Sequence, residues 1–200
     1  MWMSGLRILI LPQALNITLA LGALSLASQC AIPFYPIPLT LQTLAVMAVA
    51  FSLPPGQATL SVLAWVTSGA VGIPVFSGCC GGPGVLCGPR GGYLWGMLIA
   101  SYVMSWVRFK VGPMLGRAKK ESEERSLRLP FWLFLGTALL GNSVILGLGW
   151  MQLQFLLDSR YHAWLVGVLP FIIGEAFKVL MVSGVFYYFQ NAFYRESSPH

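Results

Sequence analysis

The sequence predicts an all-α integral membrane protein, a bundle of six transmembrane helices with both termini in the cytoplasm. Hydrophobic residues make up 56% of the chain and charged residues only 9%, whereas soluble domains carry about 25% charged residues. The 82 residues from Ile8 to Pro89 include no Asp, Glu, Lys or Arg. Because a surface in water needs charge to stay soluble, the expected solvent for this segment is lipid.

Chain length sets the number of helices. A helix that crosses the roughly 30 Å hydrocarbon core of a bilayer needs about 20 apolar residues, so a chain of this length supplies about six helices with short connections. No room remains for a second domain, and we expect one transmembrane domain over residues 1–200. The predicted helices run over residues 12–31, 38–53, 57–72, 91–107, 130–150 and 164–191.

Proline and glycine set the bounds of these helices in turn. Pro12 and Pro130 each suit a first helical turn, where the missing N–H is not needed. A proline cluster ends the first helix, Pro54-Pro55-Gly56 ends the second, and the Gly-rich segment 73–90 separates the third from the fourth. A basic loop at about 108–129 precedes the fifth. Helices two to four are short for a full span, so we expect irregular backbone at membrane depth, shielded by protein.

The basic residues orient the bundle. Seven of the 12 Lys and Arg residues lie between Arg108 and Arg128, and cytoplasmic loops carry an excess of such residues. With six helices, this loop and both termini share the cytoplasmic face. The connections that then face outward are those at residues 32–38, 73–90 and 151–163.

The sequence lacks the residues that several classes of protein function usually require. The net charge of +6 comes mostly from one loop, which indicates membrane topology and not nucleic-acid binding. The phosphate-loop pattern G-x-x-x-x-G-K-[ST] does not occur, so we expect no ATP hydrolysis of that kind. The two His residues are isolated and no C-x₂-C pair exists, so we expect no metal and no cofactor. In an oxidising compartment some of the thiols could pair, but small apolar side chains or incidental thiols are the favoured interpretation. The cysteines are Cys30, Cys79, Cys80 and Cys87.

Glu175 and Lys178 are the charged residues that lie well inside a predicted span, three positions apart on one helix face. One interpretation is a structural ion pair that locks the sixth helix to its neighbours. The other is ligand binding, since charges inside a membrane usually face a cavity or a partner. A Lys ammonium attracts an anion and a carboxylate accepts N–H donors. The pair therefore suits a small molecule with a carboxylate at one end and an amide-like group at the other.

Aromatic and glycine residues near the outward face complete the candidate site. Aromatic faces could line the apolar part of a pocket, although each one singly could serve packing or anchoring at the interface. A dense run of glycine lets backbone approach a ligand closely. The candidates are Phe34, Tyr35, Phe76, Tyr93 and Trp164 among the aromatics, and Gly81 and Gly84 among the glycines.

Ala23, Ala27 and Ala31 recur at four-residue intervals in the first predicted helix. They form a shallow stripe at which another helix can approach closely. Internal packing and an external membrane partner both explain this stripe, and the pattern by itself does not decide between them.

Five short stretches occur in the order and with the spacing of a known family. They are PIPLTLQTL at 36–44, GIPVF at 72–76, GG at 81–82, GPRGGYLWG at 88–96, and a late motif at 170–178 with a carboxylate three positions before a lysine. From about residue 14 to residue 180 the chain closely resembles the BioY family. Members are the biotin-specific, substrate-binding S components of energy-coupling-factor (ECF) transporters.

The resemblance implies a multi-pass cell-membrane protein that captures biotin on the outer side. A transmembrane coupling subunit and two ATPase subunits would then drive delivery, which accounts for the missing phosphate loop. The stripe Ala23, Ala27 and Ala31 would dock the coupling subunit, and biotin would be the substrate, with no resident cofactor. Either Lys178 meets the biotin carboxylate, or Glu175 and Lys178 together meet its ureido group.

Two features depart from the family pattern, and two other functions compete with it. Glu175 stands where Asp is usual, and Cys79-Cys80 stand where glycine and a small or polar residue are usual. A stand-alone transporter of biotin or another small carboxylate needs no more than this bundle, but the sequence shows no coupling-ion site. A membrane enzyme would need paired acids, a His base or a metal cluster, so we expect no enzyme.

Overall fold

The computed structural model describes residues 12–33, 37–112, 114 and 129–196, with side chains as far as residue 192. Within these ranges the regular structure is almost entirely helical. The elements are α1 (Gln13–Gln29), β1 (Ala31–Ile32), β2 (Leu39–Thr40), α2 (Gln42–Ser52), α3 (Pro55–Ala70), α4 (Pro83–Cys87), α5 (Gly91–Trp106), α6 (Phe131–Leu157), α7 (Arg160–Gly167) and α8 (Ile172–Glu196). A π-helical turn at Val107–Val111 continues α5, and a 3-10 turn at Leu169–Phe171 joins α7 to α8.

The first helix ends earlier than the sequence predicts. After Gln29 the chain becomes extended, because Ala31–Ile32 pairs with Leu39–Thr40 as a two-stranded antiparallel sheet with Ala31 opposite Thr40. The prediction that residue 31 belongs to the first helix is therefore wrong. Ala31 does not continue the helical alanine stripe.

The sixth predicted helix is divided in two. Pro170 has no backbone N–H and lies in the first turn of the 3-10 segment, so the chain bends there before α8 begins. In contrast, α6 runs seven residues beyond the predicted end at residue 150, to Leu157, and stops where Asp158 adopts a left-handed backbone with φ of 48°. The helix α2 has only 11 residues, short for a span as expected, and α4 was not predicted.

The centre of the bundle is the pair α5 and α6. A Cβ on Gly92 or Gly96 of α5 would meet the backbone of α6 at Leu148 or Ile145, so these glycines let the two helices approach closely. Around this pair, α3 packs on α5 and on α1, while α8 packs on α6 and α2. The result is a tightly packed bundle that buries several polar side chains, Glu175 and Lys178 among them.

The outer surface of the bundle is apolar. Ile173 is 84% exposed, Val71 79% and Phe155 78%. Among the described residues, two helical stretches are long and apolar enough to cross a membrane by length and composition: Phe131–Leu157 and Arg160–Ala192. Such an exterior fits a lipid environment, because water-soluble monomers rarely expose large contiguous apolar surfaces.

Segments predicted to face outward meet at one end of the bundle. Gln29 at the end of α1 donates to the Phe76 carbonyl, and Gln152 near the end of α6 donates to a carbonyl of α4. At the other end, Ser105 of α5 donates to the Leu53 carbonyl after α2. The Gly-rich segment therefore closes the same end at which α1 and α6 terminate.

Candidate functional site

Glu175 and Lys178 of α8 form a buried polar cluster with residues at the start of α2. Lys178 Nζ lies 2.6 Å from Glu175 Oε1, and it donates to the Thr40 carbonyl at 2.6 Å and to Thr43 Oγ1 at 3.0 Å. The Thr43 hydroxyl donates to the same Glu175 oxygen at 2.9 Å. Since an ammonium group has three donors, all donors of Lys178 are in use.

A second set of hydrogen bonds fixes the backbone that carries Thr40. The Thr40 hydroxyl donates to Gln42 Oε1 at 3.0 Å, and Gln42 Nε2 donates to Ser28 Oγ at 2.9 Å. The Ser28 hydroxyl in turn donates to the Leu24 carbonyl. Satisfied buried networks rigidify a core, so α1, β2, α2 and α8 are held together around Lys178.

The second carboxylate oxygen of Glu175 has no such partner. Oε2 is buried and accepts no hydrogen bond from any of the described residues, and Glu175 as a whole is only 3% exposed. A buried acceptor left unsatisfied costs about 1–3 kcal/mol, and more when it is charged. Glu175 borders an internal cavity, and Oε2 is its carboxylate oxygen without a hydrogen-bond partner among the described residues.

The cavity lies among α2, α5, α6 and α8, beneath the Gly-rich segment. Together with the open space at its mouth it measures about 540 Å³. Its lining is mostly apolar, with a few polar groups, as expected for a small-molecule site. The aromatic walls are Phe76, Tyr93 and Phe171, and the polar lining includes Thr43, Ser77, Arg90 and Glu175.

Glycines hold two of the aromatic walls in place. A Cβ on Gly69 of α3 would overlap the Phe76 ring, and a Cβ on Gly149 of α6 would overlap the Tyr93 ring. Phe76 also packs edge-on against Trp65, with 5.2 Å between ring centroids. The Tyr93 hydroxyl donates to a backbone carbonyl of α7 at 2.6 Å. The positions of both rings therefore depend on residues outside the cavity lining.

Arg90 is a cavity residue that the sequence analysis did not select. Its Nη1 donates to the Ser77 carbonyl at 3.0 Å, and its Nη2 contacts Cys80 Sγ at 3.8 Å. It is partly exposed, whereas Glu175 is buried, so the cation is the more accessible of the two charges. One sequence feature could have identified Arg90 as a candidate site residue. It lies inside the GPRGGYLWG motif, in a segment that is otherwise free of charge.

The family model described as the BioY family matches residues 7–195. The chain belongs to the BioY family. Biotin transporter BioY of Thermotoga maritima is 34% identical over 152 residues, which cover 76% of this chain and 80% of that protein. Probable biotin transporter BioY of Pyrococcus horikoshii is 33% identical over 162 residues, which cover 81% of this chain and 86% of that protein. Both relatives are named as transporters and not as enzymes.

A solved structure has the same fold as this chain. A crystal structure of the S-component for biotin from an ECF-type ABC transporter matches this BioY chain with a TM-score of 0.71. The match covers 90% of each chain at 21% sequence identity. This match confirms the mostly helical fold, and the family match confirms the resemblance inferred from the motifs.

The structure brings together part of the site predicted for this BioY chain. Phe76, Tyr93 and Glu175 line the cavity. Lys178 does not line it and lies behind Glu175, in contact with Thr40 and Thr43. Phe34 and Tyr35 fall outside the described residues. The candidate site thus includes Glu175, and Lys178 donates to its carboxylate from outside the cavity lining.

The remaining predicted residues lie away from the cavity. A Cβ on Gly81 would lie 2.6 Å from the Ile73 carbonyl oxygen, so Gly81 permits close backbone packing. Gly84 is exposed on α4 and has open space around it. Trp164 is 45% exposed on α7. None of the three is among the cavity residues.

The predicted docking stripe and the cysteines are both accessible from outside the bundle. Ala23 is exposed and Ala27 partly exposed on α1, while Ala31 lies in β1. The four cysteines have free thiols, three of them exposed and Cys80 partly exposed. Among the described residues no three His, Cys, Asp or Glu side chains form a group that could hold a metal ion.

Proposed function

We propose that this chain is a biotin-binding S component, which captures biotin in the cavity and delivers it across the membrane with ECF partners. The observation that carries the proposal is the unsatisfied Glu175 Oε2 at a cavity that also contains Arg90. Biotin has N–H donors in its ureido ring and a carboxylate at the end of its side chain. The two charged groups of the cavity complement the two ends of that molecule.

The structure favours one orientation of biotin over the other. Lys178 has no free donor, so the carboxylate of biotin finds no vacant hydrogen-bonding group there. The guanidinium of Arg90 has five N–H donors and is partly exposed. We therefore place the ureido N–H groups on Glu175 Oε2, the fused rings between the aromatic walls, and the carboxylate on Arg90.

The membrane orientation is part of the same proposal. Residues 1–200 form one unit with six spans. Both termini and the basic loop at about 108–129 lie in the cytoplasm. The cavity opens on the outer face of the cell membrane. Support comes from the distribution of Lys and Arg and from the meeting of the 73–90 segment with the ends of α1 and α6. Biotin would then enter from the outside.

Partner subunits supply the energy in this proposal. The chain contains no phosphate-loop motif, so ATP hydrolysis falls to two ATPase subunits that act through a transmembrane coupling subunit. The surface of α1 around Ala23 and Ala27 is the proposed contact with the coupling subunit, because small exposed side chains let another helix approach closely. We propose no metal, no resident cofactor and no enzymatic reaction.

Equilibrium binding of labelled biotin to the purified protein in detergent tests the capture step. Saturable binding is expected for the wild type, and Glu175→Gln or Arg90→Gln should each weaken it roughly tenfold to hundredfold, as the loss of one charge-assisted hydrogen bond predicts. Arg160→Gln is the matched control, since Arg160 is an exposed cation on α7 that does not line the cavity. Absence of binding by folded wild-type protein would disprove the assignment.

Uptake of labelled biotin by cells then separates an ECF component from a stand-alone transporter. Cells that make this chain together with coupling and ATPase subunits should accumulate biotin, and cells that make this chain alone should not. Equal accumulation in both would support the stand-alone alternative.

A further inference from the structure

A tight turn at residues 76–80 carries two adjacent thiols beside the cavity. Phe76 and Cys80 exchange both backbone hydrogen bonds, at 3.1 and 3.3 Å. Between them, Gly78 and Cys79 have positive φ angles of 74° and 52°, a conformation that is uncommon for a residue with a Cβ. The turn is therefore a defined structure, and its residues Phe76 and Ser77 line the cavity.

Each thiol contacts a residue outside the turn. Cys80 Sγ accepts from Arg90 Nη2 at 3.8 Å. Cys79 Sγ donates to Gln29 Oε1 at 3.4 Å, and the Cys79 backbone N–H donates to the same oxygen at 3.1 Å. The two thiols thus connect the wall of the cavity to its cation and to the end of α1.

We propose that Cys79 and Cys80 form a reversible thiol–disulfide switch that weakens ligand binding when it is oxidised. The oxidant is a small disulfide. The Sγ–Sγ bond between the two cysteines forms, the S–S bond of the oxidant breaks, and the two thiol protons and two electrons pass to the oxidant, which leaves as two thiols. Cys79 is exposed and Cys80 partly exposed, so a small oxidant reaches both.

Adjacent cysteines give a bond suited to regulation and not to permanent cross-linking. Consecutive Cα atoms are about 3.8 Å apart across a trans peptide, closer than the roughly 4.4–6.8 Å of ordinary disulfides. Strained, exposed disulfides are the readily reduced ones. The bond between Cys79 and Cys80 would therefore respond to a moderate change in thiol redox state.

Oxidation changes the cavity because the two sulfur atoms must turn toward each other. Cys80 Sγ then leaves Arg90, and Cys79 Sγ leaves Gln29. The guanidinium loses one of its two present contacts, and the turn that presents Phe76 and Ser77 is distorted. This inference uses the proposed function only for the identity of the ligand. We expect roughly tenfold weaker biotin binding by the oxidised protein, as the loss of about one hydrogen bond to a charged group predicts.

The test compares reduced protein with protein treated with oxidised glutathione. Peptide mapping identifies the disulfide, hydrogen–deuterium exchange of the peptide that contains residues 75–80 reports opening of the turn, and biotin binding reports affinity. Cys79→Ser removes the switch and leaves the contact of Cys80 with Arg90. Cys30→Ser and Cys87→Ser are matched controls that keep the adjacent pair.

The expected result is a Cys79–Cys80 disulfide, faster exchange at residues 75–80 and weaker binding, all reversed by a thiol reductant and all absent in Cys79→Ser. Pairing with Cys30 or Cys87, or unchanged exchange and affinity despite the bond, would overturn the switch. If reduced wild type binds no biotin, the proposed function fails, and mapping and exchange still decide whether the switch exists.

Discussion

The Phe76 ring lies so close to Gly69 that a single methyl group on residue 69 would overlap it. Trp65, one turn earlier on α3, holds the same ring from another side and donates its indole N–H to the Val75 carbonyl at 3.3 Å. One wall of the cavity is thus positioned by a helix that contributes no residue to the cavity lining. Substitutions on α3 should therefore change ligand binding without touching the ligand.

Gly69→Ala is expected to displace Phe76 toward the cavity. Overpacking a tight interior costs about 1–3 kcal/mol. The displaced ring would also occupy space that biotin needs. Because 1.4 kcal/mol is a factor of ten in affinity, we expect biotin binding to weaken at least about tenfold. The measurements are thermal unfolding in detergent and labelled-biotin binding.

Gly22→Ala is the control for that experiment, because Gly22 lies within α1 and a Cβ there meets no atom within 4 Å. It should leave binding unchanged and the protein as stable as the wild type or slightly more stable. If Gly69→Ala and Gly22→Ala bind biotin equally well, Gly69 does not position the cavity wall.

Lys178→Met is expected to destabilise the protein strongly, because it leaves the Glu175 carboxylate buried with Thr43 as its remaining donor. Removing one member of a buried ion pair costs about 3–5 kcal/mol. Adding Glu175→Gln should recover much of that stability by removing the unpaired charge, yet biotin binding should stay weak because the acceptor carboxylate is gone.

Chemical denaturation of the single and double variants separates these two effects. The prediction fails if the double variant is as unstable as Lys178→Met, or if it binds biotin as the wild type does. Wild-type binding by the double variant would show that the Glu175–Lys178 pair serves stability and not biotin binding.

The order of the helices could be predicted from the sequence, and the exceptions have a physical cause. Long apolar stretches bounded by proline and glycine are local features, so all the predicted spans correspond to helices within the described residues. The pairing of Ala31 with Thr40 depends on the path of the intervening loop, which no local pattern specifies. Pro170 is visible in the sequence, but apolar residues continue on both sides of it, so the apolar pattern alone predicts one helix.

The sequence predicts candidate site residues only where a charged side chain lies inside a predicted membrane span, because burying such a charge is unfavourable. The sequence selects Glu175 and Lys178 as candidates because charges inside a span need partners, and the structure places Glu175 at the cavity. Lys178 donates its three hydrogen bonds to Thr40, Thr43 and Glu175. This arrangement depends on tertiary contacts, which the sequence pattern does not reveal. Arg90 was missed because its place in the cavity depends on how the Gly-rich segment folds back on α5.

Tyr93→Phe tests the link between α5 and α7. The Tyr93 hydroxyl, in a residue 7% exposed, donates to the Gly167 carbonyl at 2.6 Å, and its loss leaves a carbonyl unpaired, so we expect a loss of about 1–2 kcal/mol in the free energy of unfolding. Biotin affinity should fall only a few-fold, since the ring remains. Tyr161→Phe, at a residue 70% exposed, is the matched control. Equal stability of both variants would show that the bond contributes nothing.

Ala23→Trp should separate binding from delivery. Ala23 is exposed on α1 and contributes nothing to the cavity, so purified protein should bind biotin as tightly as the wild type. A large side chain would prevent close approach of another helix, so uptake by cells that contain the coupling and ATPase subunits should fall at least about tenfold, as a penalty of 1.4 kcal/mol or more in association predicts. Thr18→Trp puts the same bulk on another exposed face of α1 and should retain uptake. Normal uptake by Ala23→Trp would remove this surface from the docking site, whereas loss of uptake by both variants would show that α1 tolerates no added bulk on either face.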